Sequence, residues 1–189
     1  MTLALRSRRE VERRIRRLQD DYGDVPVTTV TIENDAGYFE HGRRFIEGGH
    51  VGGAGAVVRD DSGGILLGYH SHAGEWGPPA GGHEPGESLE ETAYREIREE
   101  TNVECEITDV FQVTRKRFVH AEDPERRAYL VEAIFEADYV SGRPDASDDD
   151  EILEAHWFDE PPADVNEILG SGSAVWSRPG DPLQDEVRD

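Results

Sequence analysis

The chain has 189 residues, of which 35% are hydrophobic and 33% are charged, and its formal charge at pH 7 is −22. This length is sufficient for one domain with extensions and a sizeable core. The single cysteine, Cys105, excludes an intrachain disulfide framework and a multi-cysteine zinc site. No apolar run approaches the about 20 residues that span a bilayer, and the first residues lack the apolar core of a signal peptide, so the sequence predicts a cytoplasmic protein.

Acidic residues dominate the charge: 42 Asp and Glu stand against 20 basic residues, and Lys116 is the sole lysine. This composition is typical of proteins that work in concentrated salt, where the Debye length falls to about 3 Å at 1 M and self-repulsion is screened. We therefore expect a halophilic protein. The alternative is that a chain with this net charge is intrinsically disordered, but the periodic apolar segments argue against disorder.

The first 22 residues are predicted to form an amphipathic helix. Ser7 and Glu10 have the spacing of a capping box, and apolar residues recur at helical spacing afterwards, at Val11, Ile15, Leu18 and Tyr22. The segment carries seven arginines and four acids, so it is net positive. One interpretation is a phosphate or nucleic-acid contact through residues 6–17. The other is a docked helix whose arginines pair with the acidic body or with a second subunit of a homodimer, and the intrahelical pairs Glu10–Arg14 and Glu12–Arg16 favour it.

The rest of the chain alternates between β-rich and helical patterns. Three strands, two long β-rich runs and a short strand are predicted, in this order: Val27–Ile32, His50–Val58, Ile65–Tyr69, Val103–Val119, Arg127–Tyr139 and Glu154–Phe158. Hairpin turns are predicted at residues 60–64 and 121–125. A polar, glycine-containing stretch follows the first strand, and residues 76–86 are predicted to form a loop. A second helix is predicted at Pro162–Leu169, after a proline pair. This order predicts an α/β fold with a mixed sheet and helices on both sides.

A helix predicted over Ser88–Thr101 is the most informative segment. Ser88 and Glu91 form a capping box, and the apolar stripe consists of Leu89, Ala93 and Ile97. Asn102 has the position of a left-handed residue after the helix end.

Three carboxylates of this helix, Glu96, Glu99 and Glu100, stand at i, i+3 and i+4, which puts them on neighbouring positions of one surface. Such a set repels itself unless a positive charge sits among its members, and hard divalent cations such as Mg²⁺ prefer oxygen ligands. Arg95 is placed to orient carboxylates by charge-assisted hydrogen bonds. The alternative to a cation site is an acidic helix whose carboxylates are simply exposed to solvent.

The segment from Gly81 to Val103 resembles the signature of the Nudix hydrolases. The positions that carry the resemblance are Gly81, Glu87, Arg95, Glu96, Ile97, Glu99, Glu100 and Val103, and Asn102 stands where the family usually has glycine. The preceding Trp76–Gly82 is also similar to the family, and the resemblance covers roughly residues 48–169. It implies an α/β/α sandwich with a mixed sheet. The predicted organisation is an N-terminal helix and strand extension (1–47), a Nudix-like catalytic domain (48–169) and a flexible acidic tail (170–189).

The resemblance also implies an activity, which is Mg²⁺-dependent hydrolysis of the diphosphate linkage in a nucleoside diphosphate derivative, with Mn²⁺ as an alternative metal. Glu96, Glu99 and Glu100 are then the expected metal ligands and Arg95 the residue that orients a carboxylate. Gly81 and Gly82 let the backbone approach phosphate closely. The general base is one of the helix glutamates or Glu151, which follows the acidic run Asp148–Asp150.

Arg115 and Arg117 are weaker candidates for substrate phosphate. They alternate with Lys116 along a predicted strand, so only one of the two sets can face the site. Four substrate classes stay open: a nucleoside triphosphate, ADP-ribose, a dinucleoside polyphosphate and a nucleotide sugar. Two other functions do as well, an RNA-binding or RNA 5′-end-processing protein and a non-catalytic nucleotide-sensing domain, although the intact carboxylate set argues against the latter.

Overall fold

The computed structural model describes residues 2–146, 151–170 and 174–176. The strands are β1 (Val27–Asn34), β2 (Gly52–Arg59), β3 (Ile65–His70), β4 (Glu75–Gly77), β5 (Ala80–Gly82), β6 (Val103–His120), β7 (Asp123–Gly142) and β8 (Ile152–Phe158). The α-helices are α1 (Leu3–Tyr22), α2 (Ala36–Glu47) and α3 (Leu89–Thr101), and 3-10 helices lie at Glu167–Leu169 and Ala174–Trp176. Within this described part, none of the helices has the length and hydropathy that crossing a bilayer requires.

The strands form one mixed sheet in the order β1-β6-β7-β2-β3-β4, with β5 paired to β2 and β8 to β3. The pairs β1–β6 and β2–β7 are parallel, whereas β6–β7 and β2–β3 are antiparallel. The predicted hairpin between β6 and β7 is confirmed. The predicted hairpin between β2 and β3 is confirmed only next to its turn, where Arg59 pairs with Ile65. The rest of β2 pairs with β5 and β7 instead.

Two helices, α1 and α3, cover the same face of the sheet. Their apolar stripes meet the sheet in one buried cluster, and the members from the helices are Val11, Ile15, Leu18, Leu89, Ala93 and Ile97. Cys105 packs at the edge of this cluster, as expected, and its burial raises the thiol pKa to about 11. Both predicted stripes are therefore confirmed, and α1 shares the core of the sheet.

The opposite face is covered by α2 at one end and by the segment after β8 at the other. Phe39 of α2 stacks on Phe118 of β6 with ring centroids 5.5 Å apart. Leu169 and Val175 close a second buried cluster with Val57, Ile65, Leu67 and Ile134. The α/β/α sandwich with a mixed sheet and an N-terminal helix is therefore confirmed.

The start of α1 was predicted at the wrong residue. The helix begins one turn earlier, at Leu3, and Thr2 caps it by accepting a hydrogen bond from the Leu5 N–H at 3.3 Å. Ser7 lies inside the helix, where its hydroxyl donates to the Leu3 carbonyl at 2.9 Å. That internal acceptor replaces the capping role that the spacing of Ser7 and Glu10 predicted.

Helix α2 was missed, and the predicted helix at Pro162–Leu169 is wrong. Glycines at positions 37 and 42 lower the helix propensity of α2, but a Cβ at Gly42 would lie within 2.7 Å of the Phe118 ring, so the glycine permits close packing. Residues 164–166 are instead held beside Trp76 by two backbone hydrogen bonds of 2.8 Å. The Trp76 backbone N–H donates to the Asp164 carbonyl, and the Trp76 carbonyl accepts from the Asn166 N–H. Those bonds leave only a 3-10 turn for Glu167–Leu169.

The predicted loop over residues 76–86 contains two short strands. In β5, Gly81 pairs with Ala54 and Ala80 with Gly55 of β2. A Cβ at Gly55 would lie within 2.7 Å of Ala80 atoms, so glycine there lets the two backbones come together. This pairing anchors the segment that leads into α3 to the centre of the sheet.

Candidate active site

The start of α3 is fixed by local bonds that the sequence predicts. The Ser88 hydroxyl accepts from the Glu91 N–H at 3.1 Å, and the Glu91 carboxylate accepts from the Ser88 N–H at 2.7 Å, which is the capping box. At the other end Asn102 adopts the left-handed conformation with φ 56° and its N–H donates to Arg98 O. Asparagine thus makes the turn for which glycine is usual, and the carboxylates between these ends are held on a well-defined helix.

Arg95 is the centre of the polar network on this helix. Its Nε donates to Glu87 at 2.8 Å, its Nη1 to Glu96 at 2.7 Å and to Glu99 at 3.2 Å, and its Nη2 to the Gly82 carbonyl at 2.8 Å. This fork ties the loop before α3 to the carboxylates on the helix. The same guanidinium lowers the pKa of Glu87 to about 2. Glu87 is therefore anionic and fully engaged, which agrees with a structural role.

Glu96 lies against the backbone of β5. A Cβ added to Gly81 would lie within 2.5 Å of the Glu96 carboxylate atoms, so only glycine at position 81 leaves room for this side chain. The Glu96 side chain is 13% exposed. Burial raises the pKa of its carboxyl above the usual value, while the bond from Arg95 opposes that rise.

Glu100 is buried, with 4% of its surface exposed, and its carboxylate accepts from the Ala80 N–H at 2.8 Å. A buried carboxylate is costly unless hydrogen bonds or a cation compensate it. Glu96 and Glu100 therefore both reach across to consecutive residues of β5, and they present oxygen atoms at the same stretch of backbone.

Glu99 is the outer member of the set, with a side chain that is 54% exposed. Within the described ranges, no three His, Cys, Asp or Glu side chains converge on one point closely enough to hold a metal ion. Arg95 supplies the positive charge between Glu96 and Glu99 in this arrangement. The donor set nevertheless fits a hard divalent cation by its chemistry, since all three groups are carboxylates and one is buried.

Two cavities adjoin β5 on the face of the sheet opposite α1 and α3. One, of about 290 Å³, is bordered by Gly81, Gly82 and Lys116, and the other, of about 480 Å³, by Glu151. Both are bordered by Ala80 and Glu132. The structure thus brings Gly81, Gly82 and Glu151 to one region around Ala80, whose N–H donates to Glu100. The acidic run Asp148–Asp150 lies outside the described residues.

Arg115 and Arg117 are not part of this region. Alternation along β6 places them on the α1 side of the sheet, and Lys116 on the side of the cavities, where its Nζ lies 2.7 Å from Glu132. The two sets therefore lie on opposite faces of the sheet, as the alternation predicts. Their placement gives no support to Arg115 and Arg117 as ligands of a substrate bound beside Gly81.

Helix α1 is bound to the segment that carries the signature. Arg17 forms an ion pair with Glu90, and Arg14 donates to the Glu87 carbonyl at 3.1 Å. The interpretation of α1 as a docked helix that pairs with the acidic body is therefore supported. Of the two predicted intrahelical pairs, Glu10–Arg14 is present at 2.9 Å, whereas Glu12 pairs with Arg115 of β6 instead of Arg16.

Sequence reasoning missed several residues that shape the region. Thr92 donates its hydroxyl to Glu87 at 2.7 Å, and the buried His83 ring contacts the Glu87 carbonyl at 2.9 Å. Burial lowers the pKa of His83, so its ring is neutral at pH 7. The position of His83 inside the signature loop was the one available signal for it, whereas the bond from the Ala80 N–H to Glu100 depends on tertiary contact and left no local pattern.

Comparison with known proteins agrees with this geometry. Residues 49–170 match the family model described as the NUDIX domain. The nucleoside triphosphatase NudI of Enterobacter sp. (strain 638) is 34% identical over 88 residues, and that of Salmonella paratyphi B is 33% identical over 88 residues. These matches cover 44% of this chain, and the chain spans 61% of the length of each relative.

The crystal structure of the MutT NUDIX hydrolase from Burkholderia pseudomallei superposes with a TM-score of 0.50 and 27% identity, covering 65% of this chain and 98% of that one. The family model spans more than half of the chain, and the signature residues occupy the loop and helix expected of them. The chain therefore belongs to the NUDIX domain family.

Proposed function

We propose that this protein is a Mg²⁺-dependent pyrophosphohydrolase that cleaves the diphosphate linkage of a nucleoside diphosphate derivative, with residues 48–169 as its catalytic unit. Nudix hydrolases generally use a divalent metal and act on nucleotide-type substrates. The observation that carries the proposal is the Arg95 fork, which holds Glu87, Glu96 and Glu99 together beside the Gly82 carbonyl. An acidic helix that served only solubility would not need this network.

Glu96, Glu99 and Glu100 are the residues that would hold Mg²⁺, with Mn²⁺ as the alternative. When bound, the metal neutralises charge on the diphosphate oxygens and lowers the pKa of water. Glu99 is the exposed member and is joined to Arg95 by the longest of the bonds to that group, at 3.2 Å, so it is the carboxylate that is freest to turn toward a cation. Glu96 and Glu100 are already fixed against β5.

Arg95 and Glu87 act by position. Arg95 orients Glu96 and Glu99 by donating to both, and the Glu87 carboxylate fixes the guanidinium from the other side. Glu151 borders the cavity that Ala80 also borders, so it is a candidate general base together with the helix glutamates.

The names of the relatives favour one of the four substrate classes. Both NudI proteins are named nucleoside triphosphatases, which favours a nucleoside triphosphate over ADP-ribose, a dinucleoside polyphosphate or a nucleotide sugar. Among the described residues that border the cavities beside β5, Lys116 is the one lysine or arginine, and it is paired with Glu132. Binding of a strongly anionic substrate there would therefore depend on the metal held by the carboxylates.

A substrate screen tests the proposal. The protein is incubated in molar KCl with Mg²⁺ and one member of each of the four substrate classes, and released phosphate or pyrophosphate is measured. Glu100→Gln serves as the inactive variant, and Glu106→Gln, which removes the same charge from an exposed position on β6, is the matched control. We expect turnover of at least one class in the wild type and in Glu106→Gln but not in Glu100→Gln. No turnover of any class by the folded wild type would refute the proposal.

A further inference from the structure

Four arginines from three elements surround one open cleft on the α1 side of the sheet. Arg8 comes from α1, Arg115 and Arg117 from β6, and Arg127 from β7. The cleft has a volume of about 450 Å³, and the remaining residues that border it are Glu12 and Tyr129. We call this group of four residues the arginine cluster. It joins two features that the catalytic proposal does not use, namely the basic first helix and the basic stretch of β6.

The cluster has more positive charge than its neighbours neutralise. Arg115 is paired with Glu12, with Nε 3.0 Å and Nη2 3.1 Å from its carboxylate oxygens. Arg127 Nη1 lies 3.3 Å from Glu125 Oε1. The Glu125 side chain is 87% exposed, so it neutralises little of the arginine's charge. Within the described part of the chain, Arg8 and Arg117 form no ion pair. Four guanidinium groups thus face the cleft with one well-placed carboxylate, in a chain that has twice as many acids as bases.

Arg117 shows the clearest need for a partner. Its Nε is buried and has no hydrogen-bond acceptor among the described residues. A buried donor without an acceptor costs roughly 1–3 kcal/mol. Acidic side chains are abundant in this sequence, but none of the described ones pairs with Arg117, which leaves its guanidinium group to an anion from outside the described fold.

The arginine cluster is separated by the sheet from the cavities beside Gly81, and none of the described residues that border its cleft belongs to α3. Alternation along β6 directs Arg115 and Arg117 to one face and Lys116 to the other, and the cleft shares no bordering residue with the cavities beside Gly81. Ligand binding to the cluster can therefore be measured without the carboxylates of α3.

We propose that the arginine cluster is a second binding site, for an anion that carries several adjacent phosphate groups. Guanidinium groups bind phosphate through paired N–H donors, and four of them around one cleft suit several phosphates better than a single carboxylate. The phosphates come from free polyphosphate or from the phosphodiester backbone of RNA, since both present the same chemistry. The site is independent of the hydrolytic activity proposed above.

Deletion of α1 would not test this site cleanly, because Val11, Ile15 and Leu18 belong to the core. The double variant Arg8→Ala/Arg117→Ala is better suited, since neither side chain forms an ion pair in the described structure. The matched control is Arg16→Ala/Arg143→Ala, which removes two exposed arginines that do not border the cleft. Circular dichroism sets the lowest KCl concentration at which all three proteins are folded.

Binding is then measured at that concentration in EDTA, so that the carboxylates of α3 take no part. Inorganic tripolyphosphate is titrated by calorimetry, and a fluorescently labelled eight-nucleotide single-stranded RNA by anisotropy. We expect the double variant to bind at least about tenfold more weakly than wild type, and the control to stay within about twofold. The slope of log Kd against log KCl concentration should also be smaller for the double variant.

The two ligands distinguish the sources. Tighter binding of the RNA, lost in the double variant, identifies a phosphodiester backbone, and binding of tripolyphosphate alone identifies free polyphosphate. Either result supports the site. The proposal is overturned if wild type binds neither ligand, or if the double variant and the control bind alike. Should Arg8→Ala/Arg117→Ala fail to fold, the single variant Arg117→Gln is compared with Arg16→Gln by the same criterion.

Discussion

The carboxylate of Glu96 occupies the space that a side chain on residue 81 would need. A Cβ at Gly81 would lie within 2.5 Å of that carboxylate, whereas a Cβ at Gly82 would meet nothing within 4 Å. Two adjacent glycines of one short strand therefore have different roles. Gly81 makes room for a proposed metal ligand, and Gly82 presents its carbonyl to Arg95 at 2.8 Å, which any residue can do.

Gly81→Ala should displace Glu96 and lower turnover by about 100-fold, because catalytic groups tolerate little misplacement. Gly82→Ala is the matched control and should retain most of the activity. Turnover and the melting temperature are measured for both variants. Equal turnover in the two would contradict the role assigned to the contact between residues 81 and 96.

Glu100→Gln should abolish most of the turnover while the fold is kept, since glutamine has the same shape and can still accept from the Ala80 N–H. Removing the charge of a proposed metal ligand is expected to cost orders of magnitude in kcat. Glu99→Gln should act in the same direction. Kinetics of the two variants are compared with those of Glu106→Gln, and wild-type kcat in Glu100→Gln would refute the assignment.

The ion pair between Glu87 and Arg95 should stabilise the fold in a defined pH range. Arg95 lowers the Glu87 pKa from its usual 4.5 to about 2, so the folded state binds that proton less readily than the unfolded state does. The stabilisation is present above about pH 4.5 and is lost as the pH falls toward 2.

Denaturant unfolding of wild type and Glu87→Gln across this range measures the effect as a difference in the free energy of unfolding. We expect the difference to shrink as the pH is lowered from 5 toward about 2. A difference that stays constant with pH would show that Glu87 is not the group responsible.

Leu18→Ala should lower the free energy of unfolding by about 2–5 kcal/mol, because the side chain is fully buried between α1 and the sheet. Leu5→Ala is the control on the same helix, where the residue is 44% exposed, and should change stability by about 0.5 kcal/mol or less. Chemical denaturation of both variants checks this. Equal effects would mean that α1 does not share the core in solution.

Salt should stabilise the protein. The formal charge of −22 makes the compact state repel itself, and added salt screens that repulsion. We expect the melting temperature to rise between low and molar KCl. Sucrose at matched osmolality controls for solute exclusion, and a melting temperature that is unchanged or falls in KCl would refute halophilic behaviour.

The sequence predicted α3 well because its local signals agree. The cap at Ser88, the apolar stripe and Asn102 all indicate the same helix, and the carboxylates follow from it. The secondary structure was predicted wrongly where contacts between distant residues determine it. Helix α2 depends on Phe118 packing over Gly42, residues 164–166 are held by Trp76, and neither contact is visible in local pattern.

Periodicity had a similar limit at the site. Alternation along β6 correctly placed Arg115 and Arg117 opposite Lys116, but it could not say which face meets the cavities beside β5. The bonds from the Ala80 N–H to Glu100 and from Arg95 to the Gly82 carbonyl join residues 13 or more positions apart, so only the folded chain shows them.

The central claim is that the carboxylates of α3 bind a divalent cation. The most direct test is titration of Mn²⁺ into the protein in molar KCl, followed by electron paramagnetic resonance, with wild type, Glu100→Gln and Glu106→Gln compared. We predict that wild type and Glu106→Gln bind Mn²⁺ and that Mg²⁺ displaces it, while Glu100→Gln binds at least about tenfold more weakly. Equal binding by wild type and Glu100→Gln, or none by the folded wild type, would contradict the account.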